Sequence, residues 1–204
     1  MSLDRYIAKQ LSNPTGIGGR LVSSVMSRQN RPLYEETIRL LEPSDTDSIL
    51  DIGCGNGHVL HMLARQCDGT FTGIDTSADI IALAARRYRK LVKSGKMTFT
   101  HQDVNAMSFG DGSFQKAYTI NTVYFWEDLN HTVAEIRRVL KPNGLFVNTL
   151  FSNETLSQFS HTKFGYKRFT VEQLTSAGNA AGFAVTVIPI LNSTAYCVLY
   201  RRKD

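Results

Sequence analysis

The feature that most constrains this chain is a regular exchange of short apolar runs with longer stretches of helical spacing, from residue 48 to residue 151. Ser48–Ile52 reads as a strand. His58–Cys67 then carries Val59, Leu60, Leu63 and Ala64 at helical intervals. Thr70–Ile74 is a second strand, and Ala78–Val92 a longer helix with Arg86, Arg87, Arg89, Lys90 and Lys93 on its outer side. Met97–His101 and Phe114–Thr122 are the third and fourth strands. Leu129–Leu140 is a helix stopped by Lys141-Pro142-Asn143-Gly144, and Leu145–Phe151 is the fifth strand. Strands and helices alternating at this spacing predict a parallel sheet covered on both faces, with right-handed crossovers.

The two ends of the chain depart from that rhythm. Thr170–Ala181 has helical spacing and precedes two strands, Phe183–Ile190 and Thr194–Arg201. Only Leu191, Asn192 and Ser193 separate them, too few residues for a parallel crossover, so they form a hairpin and one strand of the sheet is antiparallel. At the other end, Leu33, Ile38, Leu40 and Leu41 suggest an amphipathic helix with Pro32 in its first turn, ended by Pro43. Residues 1–30 show no sustained period. Asn13-Pro14-Thr15-Gly16 and Gly18-Gly19 are turn signals, and residues 21–27 suit one or two helical turns. This divides the chain into a cap or lid segment, residues 1–31, and a domain, residues 32–204, with 152–168 as an insertion.

Composition excludes several classes. With 204 residues and 42% of them hydrophobic, the chain can bury a core of its own. Its net charge of +5 permits an anionic surface as partner but does not demand nucleic acid. Cys54, Cys67 and Cys197 form neither a disulfide framework nor a CxxC metal pair, which suits a reducing cytoplasm and no bound metal. Charge at Asp4 and Arg5, with no apolar run beside it, predicts no secretory leader. Residues 173–200 carry no charged side chain, yet Gly178, Gly182 and Pro189 interrupt them, so a helix end followed by strands is expected rather than a membrane span.

Leu50-Asp51-Ile52-Gly53-Cys54-Gly55-Asn56-Gly57-His58 lies between the first strand and its helix. Gly53, Gly55 and Gly57 permit a tight turn and a close approach by a ligand. The following helix offers unpaired N–H groups at its start. The spacing is GxGxG, one residue shorter than the dinucleotide fingerprint, so it makes a poorer cradle for a pyrophosphate. Asp75, in Gly73-Ile74-Asp75-Thr76, ends the second strand 22 residues after Gly53 and can accept both hydroxyls of a ribose. It could equally cap the next helix, as could Thr76 or Ser77. Asp103, in Gln102-Asp103-Val104, is expected to end the third strand and to accept from an exocyclic amine, or else to open a turn before Asn105. Asp51, Asp75 and Asp103 would then share the carboxyl edge of the sheet, where open α/β folds bind ligands.

These stretches, together with Asp111-Gly112-Ser113-Phe114, Asn121–Trp126 and Arg138–Gly144, resemble the class I S-adenosylmethionine-dependent methyltransferases. Within them the chain is most similar to the small-molecule branch typified by the ubiquinone and menaquinone C-methyltransferases. The resemblance covers residues 30–190. It departs at Gln115, where the family often has Asp, and at Asn143, where it often has Gly. It implies a Rossmann-like seven-stranded sheet of order 3-2-1-4-5-7-6 with strand 7 antiparallel, and S-adenosylmethionine as cofactor. It also implies that Asp51, Gly53, Gly55 and Asn56 lie along the methionine part, with Asp51 near the ammonium. Asp75 and Thr76 would take the ribose, Asp103 and Val104 the adenine, and Asn121 would lie beneath the methionine part.

Transfer of a sulfonium methyl needs positioning and a dry site rather than a protein nucleophile, and a base only when the acceptor must lose a proton. Tyr124, His131 and His161 are candidates for that step. Tyr124, Phe125 and Trp126 suit an aromatic acceptor pocket, and Tyr166 belongs to the same insertion as His161. Asn121-Thr122-Val123-Tyr124 lacks the paired prolines that resemble base-amine methylation. The favoured acceptor is therefore a small hydrophobic or aromatic molecule. Three other readings stay open: RNA or protein as acceptor through the Arg86–Lys90 helix, a non-catalytic cofactor-binding module, and a nicotinamide-dependent oxidoreductase. The GxGxG spacing and the terminal hairpin oppose the last.

Overall fold

The computed structural model describes residues 2–12 and 30–204. The turn expected at Asn13–Gly16 and the helical turns expected at residues 21–27 lie outside them, as does most of the proposed lid. What is described of that segment is a helix, α1 (Leu3–Ser12).

Seven strands form one sheet: β1 (Ser48–Ile52), β2 (Thr70–Asp75), β3 (Met97–His101), β4 (Phe114–Ile120), β5 (Leu140–Phe151), β6 (Phe183–Ile190) and β7 (Ala195–Arg202). Their order is 3-2-1-4-5-7-6, as the resemblance implied. The first five run parallel, and β7 is antiparallel to both β5 and β6. Leu191, Asn192 and Ser193 all take positive φ in the connecting turn, which tightens the hairpin.

Helices cover both faces. On one, α2 (Arg31–Leu41), α3 (His58–Ala64) and α4 (Ala78–Arg87) bury Leu33, Leu41, Leu60, Leu63 and Ile81 against Ile49, Phe71 and Val147 of the sheet. On the other, α6 (Leu129–Val139) and α8 (Val171–Ala180) bury Val133, Ile136, Leu174 and Ala177 against Leu50, Ala117 and Phe146. Three of these helix starts have a side-chain cap. Ser77 caps α4, Asp128 caps α6, and Thr170 with Gln173 makes a full capping box on α8.

Two boundaries differ from the sequence reading. The helix expected over Ala78–Val92 breaks at Tyr88 into α4 and the short α5 (Arg89–Lys93). Tyr88 leaves helical geometry because its ring is drawn inward, stacked on His61 with centroids 4.9 Å apart and facing Phe99. At the other boundary, β5 begins at Leu140, not Leu145. Lys141–Gly144 is an irregular part of the strand, with Asn143 at φ 60° and a shift of register opposite Phe114–Lys116. Gln115, at one departure from the family, accepts from the Ser48 main-chain N–H at 2.9 Å and ties β4 to β1. α7 (Asn153–Ser157) and a 3-10 turn at Ser160–Lys163 occupy the insertion, and α1 packs on that turn. Among the described residues no helix is long and apolar enough to cross a membrane.

Candidate functional site

The carboxyl ends of β1, β2 and β4 open into one cavity of about 710 Å³. The glycine loop forms its floor. Gly53 sits at φ 74°, and a Cβ there would stand 2.4 Å from Thr122 Cγ2, so the close approach requires glycine. A Cβ on Gly55 would meet nothing within 4 Å.

The loop is held by its neighbours. Gly53 and Cys54 N–H both donate to Ile74 O at 2.9 Å. Gly55 N–H donates to Asp75 Oδ2 at 3.0 Å, while Ser77 N–H donates to Oδ1 at 2.9 Å. Asp75 is therefore braced by two main-chain donors and keeps lone pairs for a ligand. Burial raises its pKa, and those donors act in the opposite sense. Helix capping falls to Ser77, whose Oγ accepts from Ile80 N–H at 3.3 Å. Asn56 is buried and its Oδ1 accepts from His58 N–H at 3.1 Å.

Asp51 is 4% exposed. Its Oδ2 accepts from the Tyr118 hydroxyl at 2.7 Å. Burial pushes its carboxyl up to about 8, against the Tyr118 hydrogen bond and with help from the negative charge of Asp75.

Asp103 corrects the expectation in detail. β3 stops at His101, and Asp103 opens a 3-10 turn instead, its Oδ1 accepting from Asn105 N and Nδ2 at 2.9 and 2.8 Å. It still lines the cavity beside the buried Val104. Thr76 and Asn121 line it too; Asn121 follows β4 at φ 58°.

The opposite end of the cavity is aromatic. Tyr166 stacks on Tyr124 at 5.4 Å between centroids and meets Phe125 edge-on at 4.8 Å. His161 lies 5.9 Å from Tyr166 and 5.7 Å from Phe159, and Trp126 and Phe151 complete the wall. The Tyr124 hydroxyl donates to Asn121 Oδ1 at 3.1 Å and accepts from Phe151 N–H at 2.7 Å. Its pKa is driven far above the phenol range by burial, so it is a fixed wall rather than a proton carrier. Burial lowers the pKa of His161, which leaves the imidazole neutral at pH 7; Asp4 acts in the opposite sense. That aspartate arrives on α1, where its Oδ1 accepts from Ser160 Oγ at 2.8 Å.

His131 is a correction. Its main-chain N–H caps onto Asp128, its ring bonds to Asn105 O at 2.8 Å, and it is not part of the cavity wall. The Arg86–Lys90 residues line a separate groove with His61 and Arg65. Sequence reasoning missed Gln10, Tyr34 and Tyr118. Tyr118 had a signal: as an alternate position of β4 opposite Asp51 it shares that residue's register. Gln10 and Tyr34 reach the cavity through tertiary packing of α1 and α2. Among the described residues no group of His, Cys, Asp or Glu is arranged to hold a metal ion.

The described lining residues bring four carboxylates, Asp51, Asp75, Asp103 and Glu127, and neither lysine nor arginine. Such a wall favours a cationic ligand and disfavours a pyrophosphate.

Comparison with known proteins agrees with this geometry. A family described as methyltransferase domain matches residues 49–144. The uncharacterized methyltransferase YdaC of Bacillus subtilis is 30% identical over 161 residues, which is 78% of this chain and 83% of that one. An O-methyltransferase of Pyrenophora dematioidea is 35% identical over 53% of this chain and 41% of its own length. The chain spans about two fifths of that relative and of a similar Penicillium expansum O-methyltransferase. Among solved structures, a chain from the Haloferax volcanii complex of the Trm112 methyltransferase activator with a methyltransferase superposes over its whole length, with TM-score 0.81 at 18% identity. The geranyl diphosphate C-methyltransferase of Streptomyces coelicolor, solved with Mg2+, geranyl diphosphate and S-adenosyl-L-homocysteine, has TM-score 0.74 at 16% identity over 96% of this chain and 87% of that one. At those identities the two structures share the fold.

Proposed function

The chain belongs to the class I S-adenosylmethionine-dependent methyltransferases, and on that premise we propose that it methylates a small apolar or aromatic molecule. The observation that carries the proposal is one cavity whose described lining joins four carboxylates, with neither lysine nor arginine, to the aromatic cluster of Tyr124, Phe125, Trp126 and Tyr166. When bound, S-adenosylmethionine supplies an electrophilic methyl on a positively charged sulfur. The acidic end suits its two cationic centres, and the GxGxG floor suits it better than a dinucleotide.

In this reading Asp51 faces the ammonium and Asp75 the ribose hydroxyls, with Thr76 beside it. Gly53, Gly55 and Asn56 form the floor under the methionine part, Asn121 lies below it, and Val104 and Asp103 meet the adenine. The aromatic wall excludes water and offers ring faces to a spreading positive charge. Of the three candidate residues we take His161 as the one that accepts a proton from an acidic acceptor; its neutral imidazole at the cavity wall supports that choice. Residues 1–31 and 152–168 serve as the acceptor-side lid, and α1 resting on Ser160–Lys163 supports that role. YdaC and the O-methyltransferases add weight by analogy.

The test is transfer of labelled methyl from S-adenosylmethionine to a bacterial extract, followed by partition. Label is expected in a low-mass organic-soluble fraction, with slower transfer in His161→Gln. Label confined to RNA or protein overturns the proposal.

A further inference from the structure

The acidic end of the cavity contains a group that the reading above leaves half explained. Asp51 is buried at the end of β1 with one side-chain partner, the hydroxyl of Tyr118 on the neighbouring strand. Tyr118 is itself 1% exposed. Among the described residues the titratable groups around the pair are Asp75 from β2, Cys54 from the glycine loop, and Tyr34 of α2 on the Tyr118 side. None of these carries positive charge in any protonation state. His58 also lines the cavity, and its pKa is lowered by burial and by Arg87, so it too is neutral at pH 7. Among the described residues such a carboxylate has no cation beside it, and an uncompensated buried charge is costly.

Two forms of the pair follow. In the free protein Asp51 is a neutral acid at pH 7, because burial raises its pKa to about 8. Tyr118 donates to Oδ2, which leaves Oδ1 for the acid proton. With a cation seated beside it, the carboxylate becomes the stable form, and the Tyr118 hydrogen bond strengthens because its acceptor is charged.

We propose that Asp51, held in position by Tyr118, is a concealed acid that releases its proton to solvent when the ammonium of an amino-acid moiety arrives. This rests on the reading of the cavity as an S-adenosylmethionine site. The acid O–H bond breaks, the proton passes to buffer, and the carboxylate is left paired with the incoming ammonium. Tyr118 keeps its own proton throughout, since burial and the negative charge of Asp51 hold its pKa far above the phenol range. Binding is then linked to pH by one proton, and Tyr118 sets where that linkage lies.

Two measurements test this, one of them without ligand. In the free protein, the carboxyl 13C resonance of Asp51, assigned by its absence in Asp51→Asn, should titrate near pH 8 and move to higher pH in Tyr118→Phe. In the second, S-adenosylmethionine is titrated calorimetrically at pH 6.5–7 in buffers of different ionisation enthalpy. The unaltered protein should release close to one proton per ligand, and Asp51→Asn should release none. Tyr118→Phe should bind about ten- to 150-fold more weakly at pH 7, the cost of a hydrogen bond to a charged group. Its deficit should narrow as pH is raised to 9. An Asp51 resonance that titrates near pH 4, or is unmoved by Tyr118→Phe, overturns the inference. Equal proton release in Asp51→Asn overturns it as well. If the resonance behaves as stated but S-adenosylmethionine does not bind, the functional reading fails and the Tyr118–Asp51 couple stands.

Discussion

The main-chain N–H of Gly55 donates to Asp75 Oδ2 at 3.0 Å, which joins the glycine loop after β1 to the end of β2. The floor of the cavity and the carboxylate proposed to face the ribose are one hydrogen-bonded unit, so a shift in one moves the other. Backbone conformation in the loop therefore controls the placement of a cavity-lining side chain 20 residues away.

Gly53→Ala and Gly55→Ala should separate strain from crowding. At Gly53 the substitution adds a positive-φ penalty and a Cβ 2.4 Å from Thr122 Cγ2, a cost of about 2–4 kcal/mol. At Gly55 only the φ penalty applies, about 1–2 kcal/mol, because the new methyl meets open space. Thermal unfolding should rank Gly53→Ala clearly below Gly55→Ala. An equal loss in both would remove the close packing of Gly53 on Thr122 as the reason for glycine there.

Stability should depend on pH through Asp51. Its folded pKa of about 8 lies above the unfolded value of about 3.9. Between those values the native state holds more protons than the unfolded one, so this contribution is complete below about pH 4 and is lost as pH rises toward 8. The loss is about 1.4 kcal/mol per pH unit at most. Urea unfolding at pH 5 and pH 7 should show a fall that Asp51→Asn lacks. Parallel behaviour of the two proteins would show that Asp51 is ionised in the native state.

Arg138 should matter for stability rather than for ligand binding. Its guanidinium bonds to Glu135 through Nε and Nη2 at 2.7 Å each, to Asp111 at 2.8 Å, and to Phe109 O and Met107 O at 2.7 and 3.0 Å. It thus fastens the β3–β4 connection to α6. With the side chain about a third exposed, solvent screening lowers the value of the ionic contacts. Arg138→Ala should cost about 2 kcal/mol, and Arg138→Lys should recover only part, since an ammonium cannot reproduce the fork. Denaturant midpoints measure this directly, and a full rescue by lysine would contradict the fork geometry.

The sheet was readable in the sequence because each parallel strand is a short apolar run between turn residues, and because three residues cannot cross a sheet. The glycine loop and Asp75 were readable for a similar reason, since their chemistry is local. Other features depend on contacts remote in sequence. Tyr88 breaks a helix of good propensity because its ring stacks on His61 from another helix. Asn143 lies within β5 rather than before it, because the neighbouring strand pairs on both sides of it. His131 has the composition of a site residue, but its ring is used to hold Asn105. The approach of α1 to Ser160 had no motif to announce it, and that of Tyr118 to Asp51 had only the alternation of β4.

The central claim is that this cavity takes a cationic methyl donor, and calorimetric titration with S-adenosylmethionine and, separately, with NADH tests it most directly, with Asp75→Ala as the variant. The account predicts that S-adenosylmethionine binds and NADH does not. It also predicts that Asp75→Ala weakens S-adenosylmethionine binding about ten- to 150-fold, the value of a lost hydrogen bond to a charged group. Binding of NADH in place of S-adenosylmethionine, or an Asp75→Ala variant that binds the donor as tightly as the unaltered protein, would contradict it.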